Sequence, residues 1–256
     1  MNRIDELFQR KNNRVLNIYC TAGYPAADST VNVLQSLQAS GADMIELGMP
    51  YSDPLADGPV IQASSSRALA NGMTINKLFT DLEGFRDIVH LPVILMGYMN
   101  PILQYGFEKF CKKAADTGLD GLILPDLPMY EYETEYGRII NKYGLRFIFL
   151  VTPETTDERT RKLDSLSTGF LYAVSSSSTT GNEKSIALQA NYFKRLHDLE
   201  LKNPVLIGFG IKDKPTFDAA CEYANGAIIG TAYIRALENS DNIPQSTKEF
   251  INGVIG

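Results

Sequence analysis

Cysteine is scarce in this sequence, and the few cysteines lie far apart. Three occur among 256 residues, at Cys20, Cys111 and Cys221, and no two of them have the spacing of a metal-binding pair. An odd number of scattered cysteines favours a reducing compartment over a disulfide framework. The N-terminus is charged and lacks the apolar region of a signal peptide, and no apolar run approaches the roughly 18 residues of a membrane-spanning helix. These absences predict a soluble, cytoplasmic protein.

Positive charge is outnumbered by negative charge. The chain has 24 Lys and Arg residues against 30 Asp and Glu residues, for a formal net charge of -6 at pH 7. This balance argues against nucleic acid, or an acidic membrane surface, as the main partner. No linker or shift in composition divides the chain, and 44% of its residues are hydrophobic, which is ample for a large core. The sequence therefore predicts a single domain spanning residues 1–256.

Eight short apolar runs predict eight buried strands. They lie at residues 15–20, 44–47, 93–96, 122–124, 147–151, 170–174, 205–207 and 227–229. Segments with helical spacing separate them, such as Phe107, Phe110, Cys111 and Ala114, and an amphipathic helix over residues 4–10 precedes the first strand. Apolar strands that alternate with one-faced helices indicate a parallel sheet covered by helices. We expect an α/β protein, a single (β/α)8 TIM barrel with an extra N-terminal helix.

The alternative architecture is a doubly wound open sheet. Such a sheet normally carries a G-x-G-x-x-G turn after its first strand. Here the corresponding residues, 21–25, read T-A-G-Y-P. The barrel is therefore favoured, and in a barrel the active site is built at the carboxyl ends of the strands and in the loops that follow them.

One stiff loop stands out at such a strand end. Residues 46–59 read E-L-G-M-P-Y-S-D-P-L-A-D-G-P, and the three prolines prevent a helix from running through them. Glu46 lies within the second strand, and Asp57 lies in the loop. Two carboxylates held by rigid backbone suit acid–base catalysis. The other interpretation is that Glu46 is a hydrogen-bonded structural acid and that the aspartates only shape turns. These residues alone favour neither interpretation.

Glycines near the ends of the last three predicted strands form a candidate phosphate cradle. Together with two neighbouring threonines they are Thr180, Gly181, Gly208, Gly210, Gly230 and Thr231. Glycine lets backbone N–H groups approach an anion closely, and the N-terminus of a helix adds partial positive charge. The loops after strands seven and eight are the usual phosphate site of these barrels. The alternative is that Gly208 and Gly210 only form a tight turn.

Histidine and lysine are missing from the predicted strand ends. His90 precedes the third strand and His197 lies in a helix, so neither reaches the catalytic face, which argues against a histidine-bound metal. No strand ends in the lysine that a Schiff-base enzyme needs. Metal-free and cofactor-free acid–base chemistry on a phosphorylated substrate remains. Apolar and aromatic residues that could line the pocket, or belong to the core, are Tyr19, Ile61, Met96, Tyr98 and Phe209.

With these residues assembled, the chain resembles the alpha subunit of tryptophan synthase from its first helix to its last. The most specific part of the resemblance is E-L-G-M-P-Y-S-D-P-L-A-D-G-P-V-I-Q at residues 46–62. Supporting motifs are P-D-L-P at 125–128, T-T-G at 179–181, G-F-G-I at 208–211 and G-A-I-I-G at 226–230. The resemblance implies a lyase that splits indole-3-glycerol phosphate into indole and glyceraldehyde 3-phosphate. It also implies an alpha2-beta2 heterotetramer, in which indole passes to a beta subunit that alone carries pyridoxal phosphate.

The resemblance also implies roles for individual residues. Glu46 would exchange protons with indole C3 and the glycerol hydroxyl, Asp57 would hold the indole N–H, and Tyr172 would help to position Glu46. Asp53 and Pro54 would meet the beta subunit. The implied pocket positions are Tyr19, Ile61, Met96, Tyr98 and Ile123, and the implied phosphate positions are Thr180, Gly181, Gly210, Gly230 and Thr231.

Two other functions remain open on the sequence. One is another phosphate-binding barrel, such as a sugar-phosphate isomerase or epimerase, although epimerases of this kind often need histidine metal ligands at the barrel mouth. The other is a non-catalytic barrel that serves as an allosteric partner, although the presence of both carboxylates weighs against it. An assay of the isolated chain for indole formation separates both from the lyase.

Overall fold

A parallel sheet curls through the middle of the computed structural model, which describes residues 1–174, 189–208 and 210–256. Within these residues it has nine strands, in the spatial order β5-β4-β3-β2-β1-β9-β8-β7-β6. Their bounds are β1 Val15–Thr21, β2 Met44–Gly48, β3 Val93–Met96, β4 Gly121–Ile123, β5 Arg146–Phe147, β6 Leu150–Val151, β7 Leu171–Val174, β8 Val205–Gly208 and β9 Gly226–Ile229. The neighbouring strands pair in parallel.

The two edge strands of this sheet, β5 and β6, are halves of one predicted strand, residues 147–151. The N–H of Ile148 donates to the carbonyl of Leu122 on one side at 3.1 Å, and the carbonyl of Phe149 accepts from the N–H of Tyr172 on the other at 3.0 Å. The chain itself therefore joins the edges and closes the sheet into a barrel. Closure requires strands to be staggered, which explains why this strand pairs with β4 at its start and with β7 at its end. The predicted barrel is confirmed, with its fifth strand divided in two.

Helices cover the outside of the sheet. Their bounds are α1 Arg3–Arg10, α2 Thr30–Ser40, α3 Pro59–Ala70, α4 Ile75–Asp81, α5 Met99–Tyr105, α6 Phe107–Thr117, α7 Met129–Glu131, α8 Gly137–Lys142, α9 Asp157–Leu166, α10 Ala190–Asp198, α11 Lys214–Cys221, α12 Thr231–Leu237 and α13 Ile243–Ile255, with a 3-10 turn at Phe85–Asp87 and a π-helical turn at Tyr132–Tyr136. In α6 the predicted face of Phe107, Phe110, Cys111 and Ala114 is buried. No helix in the described part of the chain is long and apolar enough to cross a membrane.

The N-terminal helix closes the amino end of the barrel. Ile4 and Leu7 of α1 are buried in the core. The guanidinium of Arg3 lies 3.0 Å from the buried carboxylate of Asp120, which also accepts from Arg86 at 2.6 Å. Asp120 therefore joins α1 to the turn before β3, and its loss would leave the mostly buried guanidinium of Arg86 without a counter-charge. The opposite end of the barrel, where the carboxyl ends of the strands lie, is not covered by α1 and contains the candidate site.

Candidate active site

Glu46 lies inside the barrel, on the middle of β2. It stands beside Tyr19 in the parallel register, and no part of its side chain is exposed. Tyr172 lies on β7, which is not adjacent to β2 in the sheet. Burial raises the pKa of the Tyr172 hydroxyl, and the charge of Glu46 raises it further. Side chains from strands on opposite sides of a barrel interact only across its interior. Glu46 and Tyr172 therefore share the chamber inside the barrel, and the role of Tyr172 in positioning Glu46 stays a prediction.

Burial controls the charge of Glu46. It raises the pKa of this carboxyl group from 4.5 to about 8, and a hydrogen bond from Asn17 opposes the rise. The amide Nδ2 of Asn17 donates to Oε1 of Glu46 at 2.6 Å, while Oε2 has no hydrogen-bond partner among the described residues. Desolvation favours the neutral form of an acid. At neutral pH Glu46 is therefore a protonated acid, which is the form that donates a proton.

Asp57 lies in the loop after β2 and is half-buried. Burial raises its pKa from 3.8 to about 6, and the hydroxyl of Tyr98 opposes the rise by donating to Oδ2 at 3.2 Å. The same hydroxyl accepts from the N–H of Ala56 at 3.1 Å, so Tyr98 fastens the loop at two points. Between about pH 6 and pH 8, Asp57 is ionised while Glu46 is neutral. A pair of carboxyl groups with separated pKa values is the usual arrangement for division of acid and base roles.

Asp57 and Glu46 face the same space. Burial raises the pKa of Tyr19, and the charge of Asp57 adds to this rise. Burial also raises the pKa of Tyr172, and the charges of both carboxylates add to it. Each tyrosine covers a glycine of a neighbouring strand. A Cβ built on Gly48 would lie 2.0 Å from the Tyr19 hydroxyl oxygen, and one built on Gly208 would lie 2.3 Å from the Tyr172 hydroxyl oxygen. The glycines are therefore required because the tyrosine rings occupy the space that any side chain would fill.

The predicted pocket residues fall into two groups. Met96 ends β3 beside Gly48, and Ile123 stands next to Met96 in the register. On the other side, a Cβ on Gly230 would lie 3.3 Å from Cβ of Tyr19 and 3.5 Å from Cδ1 of Ile61. Ile123 is fully buried, and Tyr19, Ile61, Met96 and Tyr98 are each 6–8% exposed. Largely buried side chains therefore lie on both sides of Tyr19, whose ring covers Gly48, and together form an apolar wall.

The glycines of the candidate phosphate cradle lie at the ends of adjacent strands. Gly208 ends β8, and Gly230 follows β9, its neighbour in the sheet, directly before Thr231 and α12. Gly210 has a φ of 77°, a conformation that favours glycine. Thr231 and Gly210 are both exposed. Thr180, Gly181 and Phe209, which were also predicted to contact substrate, lie outside the described residues.

Sequence reasoning missed Asn17 and Gly48. Asn17 is a polar residue in a mostly apolar strand, and the period of two places it on the same face as Val15, Tyr19 and Thr21. That alternation was the available signal for Asn17. No comparable indication in the sequence pointed to Gly48. A side chain is excluded at this position only because the ring of Tyr19 lies against it, and the position of that ring is known only from the structure.

The fold and the site together define a class, an α/β-barrel enzyme with acid–base groups at the carboxyl end of its strands. A family model described as "Tryptophan synthase alpha chain" matches residues 6–253. The chain therefore belongs to the tryptophan synthase alpha chain family.

Relatives of known sequence and structure agree with this assignment. A tryptophan synthase alpha chain from Christiangramia forsetii is 54% identical over 99% of this chain and 98% of the relative. One from Flavobacterium johnsoniae is 54% identical over 99% of this chain and 100% of the relative. The crystal structure of tryptophan synthase subunit alpha from Legionella pneumophila has a TM-score of 0.87 and 37% identity, and the match covers 99% of this chain and 97% of that one.

Proposed function

We propose that this chain cleaves indole-3-glycerol phosphate into indole and glyceraldehyde 3-phosphate, with Glu46 as the proton-transfer group and Asp57 as the stabiliser of positive charge. The observation that carries the proposal is the separation of the two pKa values, about 8 for Glu46 and about 6 for Asp57, in one chamber. Near neutral pH this separation supplies a protonated acid and an ionised carboxylate together. Release of indole by the isolated chain is the experiment that tests the reaction.

The reaction needs two proton transfers and no oxidant. The protonated carboxyl of Glu46 donates to C3 of the indole ring, which leaves the ring positively charged. The carboxylate of Asp57 accepts a hydrogen bond from the ring N–H and stabilises that charge. The Glu46 carboxylate then takes the proton of the hydroxyl on the carbon bonded to C3. As this hydroxyl becomes an aldehyde, the carbon–carbon bond breaks, its electron pair returns to the ring, and Glu46 is protonated again.

The remaining site residues would bind the two ends of the substrate. The apolar wall of Tyr19, Ile61, Met96, Tyr98 and Ile123 suits a flat indole ring, because such pockets are mostly apolar with a few polar groups. Gly208, Gly210, Gly230 and Thr231 would hold the phosphate through backbone N–H groups. Outside the described residues, Thr180 and Gly181 would contribute to the phosphate site and Phe209 to the apolar pocket. Tyr172 would keep the Glu46 side chain in its chamber.

Gly48→Ala tests the requirement for space under Tyr19. The added methyl group would occupy the place of the Tyr19 hydroxyl, 2.0 Å away, so the ring must move and the pocket wall with it. We expect kcat/KM for indole release to fall on the order of 10²-fold, the effect of a displacement of about 1 Å in a catalytic site. Gly253→Ala in α13 is the matched control, since a Cβ there meets no atom within 4 Å. Equal activity of the two variants would rule out a role for the Tyr19–Gly48 contact.

Membership of this family implies a beta subunit as partner. We propose an alpha2-beta2 heterotetramer in which the loop after β2 meets the beta subunit and in which only the beta subunit carries pyridoxal phosphate. Asp53 of this loop is exposed and Pro54 is buried, whereas the adjacent apolar side chain of Leu55 is 92% exposed. A large apolar side chain in water is a candidate partner contact.

Leu55→Glu should weaken binding of the beta subunit by about 10-fold or more, the loss typical of an apolar anchor, and leave indole release by the isolated chain unchanged. Ile88→Glu is the control, because Ile88 is also an exposed apolar residue, at 42%, but follows the turn Phe85–Asp87 before the amino end of β3. Binding is measured by titration calorimetry with the beta subunit. Equal weakening by both variants would contradict the proposed interface.

The wider setting of the chain is also a proposal. We infer a single domain over residues 1–256, since one barrel accounts for the strands in the described part of the chain. A cytoplasmic location is supported by its cysteines, which are unpaired, with Cys20 and Cys111 buried. Thiols of this kind suit a reducing compartment.

A further inference from the structure

Asn17 is a buried polar residue with no role in the reaction described above. It lies on β1, with Met44 and Ile228 as its neighbours in the register, and it is 0% exposed. A polar amide among apolar side chains destabilises the fold unless it is hydrogen-bonded. Its Nδ2 donates to Glu46 at 2.6 Å, but its Oδ1 has no partner among the described residues. Asn17 therefore makes one bond where the fold alone would favour an apolar residue.

The hydrogen-bonding groups of an amide explain why asparagine occupies this position. In the proposed reaction Glu46 alternates between a neutral acid and a carboxylate. An amide has N–H donors for the carboxylate and an oxygen acceptor for the protonated acid. The terminal torsion of asparagine is broad and roughly two-fold, so rotation about it presents either the N–H group or the oxygen to Glu46. A lysine or arginine would stabilise only the carboxylate, and a leucine would stabilise neither form. Because Oδ1 of Asn17 has no partner among the described residues, the amide can turn over without breaking another hydrogen bond at that oxygen.

We propose that Asn17 is a positioning residue for Glu46, which holds the carboxyl group in one orientation through both of its protonation states. The inference rests on the proposed function, since it assigns Asn17 its role through Glu46. It concerns a residue that touches the catalytic group and not the substrate.

A pH profile reports on this role, because few other groups near Glu46 titrate in the same range. The described ionisable groups whose interactions place them around Glu46 are Tyr19, Cys20, Asp57 and Tyr172. Burial raises the pKa of Tyr19, Tyr172 and Cys20 well above their usual values, so all three are neutral through pH 9. On β3, the residue paired with Glu46 in the register is Ile94, which is apolar and does not titrate. Asp57 titrates lower, with a pKa of about 6.

The first test is Asn17→Leu, which keeps the branching of the side chain at Cγ and removes its hydrogen bond. We expect kcat for indole release to fall about 10- to 100-fold, which is the size of one hydrogen bond to a charged group. The KM should stay within about two-fold, because the phosphate end of the site is untouched. The basic limb of the pH profile should move upward, since the Glu46 carboxylate has lost its donor. Asn17→Ser, which restores a donor and an acceptor, should recover part of both effects.

The control is Thr247→Val, another loss of a buried hydrogen bond. Thr247 lies in α13, on the outside of the barrel, and is 0% exposed. Its hydroxyl oxygen lies 2.8 Å from the hydroxyl oxygen of Tyr233 in α12. This variant should lower the melting temperature without moving the pH profile. If Asn17→Leu behaves in the same way, with an unmoved basic limb and a kcat that follows the folded fraction, Asn17 is only structural and the proposal is overturned.

The pKa of Glu46, measured by carbon-13 NMR in Asn17→Leu, separates this proposal from the proposed function. An upward shift from the native pKa supports the positioning role even for an unexpected reaction, and no shift overturns it. The proposed function fails separately, if the native chain releases no indole or if Glu46→Gln retains its activity.

Discussion

Glu46→Gln should lower kcat for indole release by about 10³-fold or more, because one side chain performs both proton transfers and each such transfer contributes about 10²–10⁴-fold. Glutamine keeps the shape of the side chain but neither donates an acidic proton nor accepts one. Binding of glycerol phosphate should be unchanged, since the glycines that would hold the phosphate lie on other strands. Glu83→Gln is the matched control, as the side chain of Glu83 is 67% exposed, and it should retain full activity.

The same variant should be more stable than the native chain at high pH. The folded-state pKa of Glu46, about 8, lies above its usual value of 4.5, so between these values the folded chain keeps a proton that the unfolded chain has released. The free energy of unfolding therefore falls as pH rises through this window, by on the order of a few kcal/mol. Glutamine carries no charge to bury. Urea unfolding above pH 8 should show Glu46→Gln to be the more stable protein.

These two results together decide between the interpretations of Glu46 that the sequence left open. If Glu46 is a structural acid, its replacement should lower the free energy of unfolding and leave kcat unchanged. A catalytic acid that is kept in a desolvated chamber should show the reverse, because functional groups are held at the expense of stability. Near-native turnover with reduced stability would contradict the role of Glu46 in proton transfer.

The second large effect is a bell-shaped dependence of kcat/KM on pH. The acid limb should lie near pH 6, where Asp57 becomes ionised, and the basic limb near pH 8, where Glu46 loses its proton. The limbs of such a profile report the essential groups of the free enzyme. Activity should therefore fall about tenfold per pH unit on either side of the plateau.

A phosphate ester also titrates near pH 6, so the acid limb needs its own control. Tyr98→Phe removes the hydroxyl that donates to Asp57 at 3.2 Å and opposes the rise of its pKa. The acid limb should then move upward, whereas a limb set by the substrate phosphate would stay. Tyr105→Phe is the control, since Tyr105 packs against Phe79 and Phe110 on the outer helices. An acid limb that moves in neither variant would exclude Asp57 as its source.

Most of the fold was predictable from the sequence. Strands buried on both faces of a parallel sheet are continuous apolar runs, so the eight runs located the strands to within two residues. The division of residues 147–151 into β5 and β6 was not predictable, because F-I-F-L-V is apolar throughout and the interruption arises from the stagger of the whole barrel. The segment between β2 and β3 was identified only as a long connection, and it contains α3 and α4.

The site was predictable in its residue types and less so in its contacts. Glu46 stood out because acids are rare in a buried strand, and Asp57 because it lies in the stiff loop at the end of that strand. Asn17 and Gly48 were missed, because their importance depends on the register of β1 against β2, which is a long-range property. The catalytic and binding roles of all these residues remain predictions until variants are measured.

The pKa of Glu46 itself tests the central claim most directly. The carboxyl carbon of this residue can be followed by carbon-13 NMR in selectively labelled protein, with Glu46→Gln to identify its signal. A titration near pH 8 that coincides with the basic limb of the activity profile is the expected result. A titration near the ordinary glutamate value of about 4.5 would show that Glu46 is ionised at neutral pH, and it would contradict its role as the proton donor.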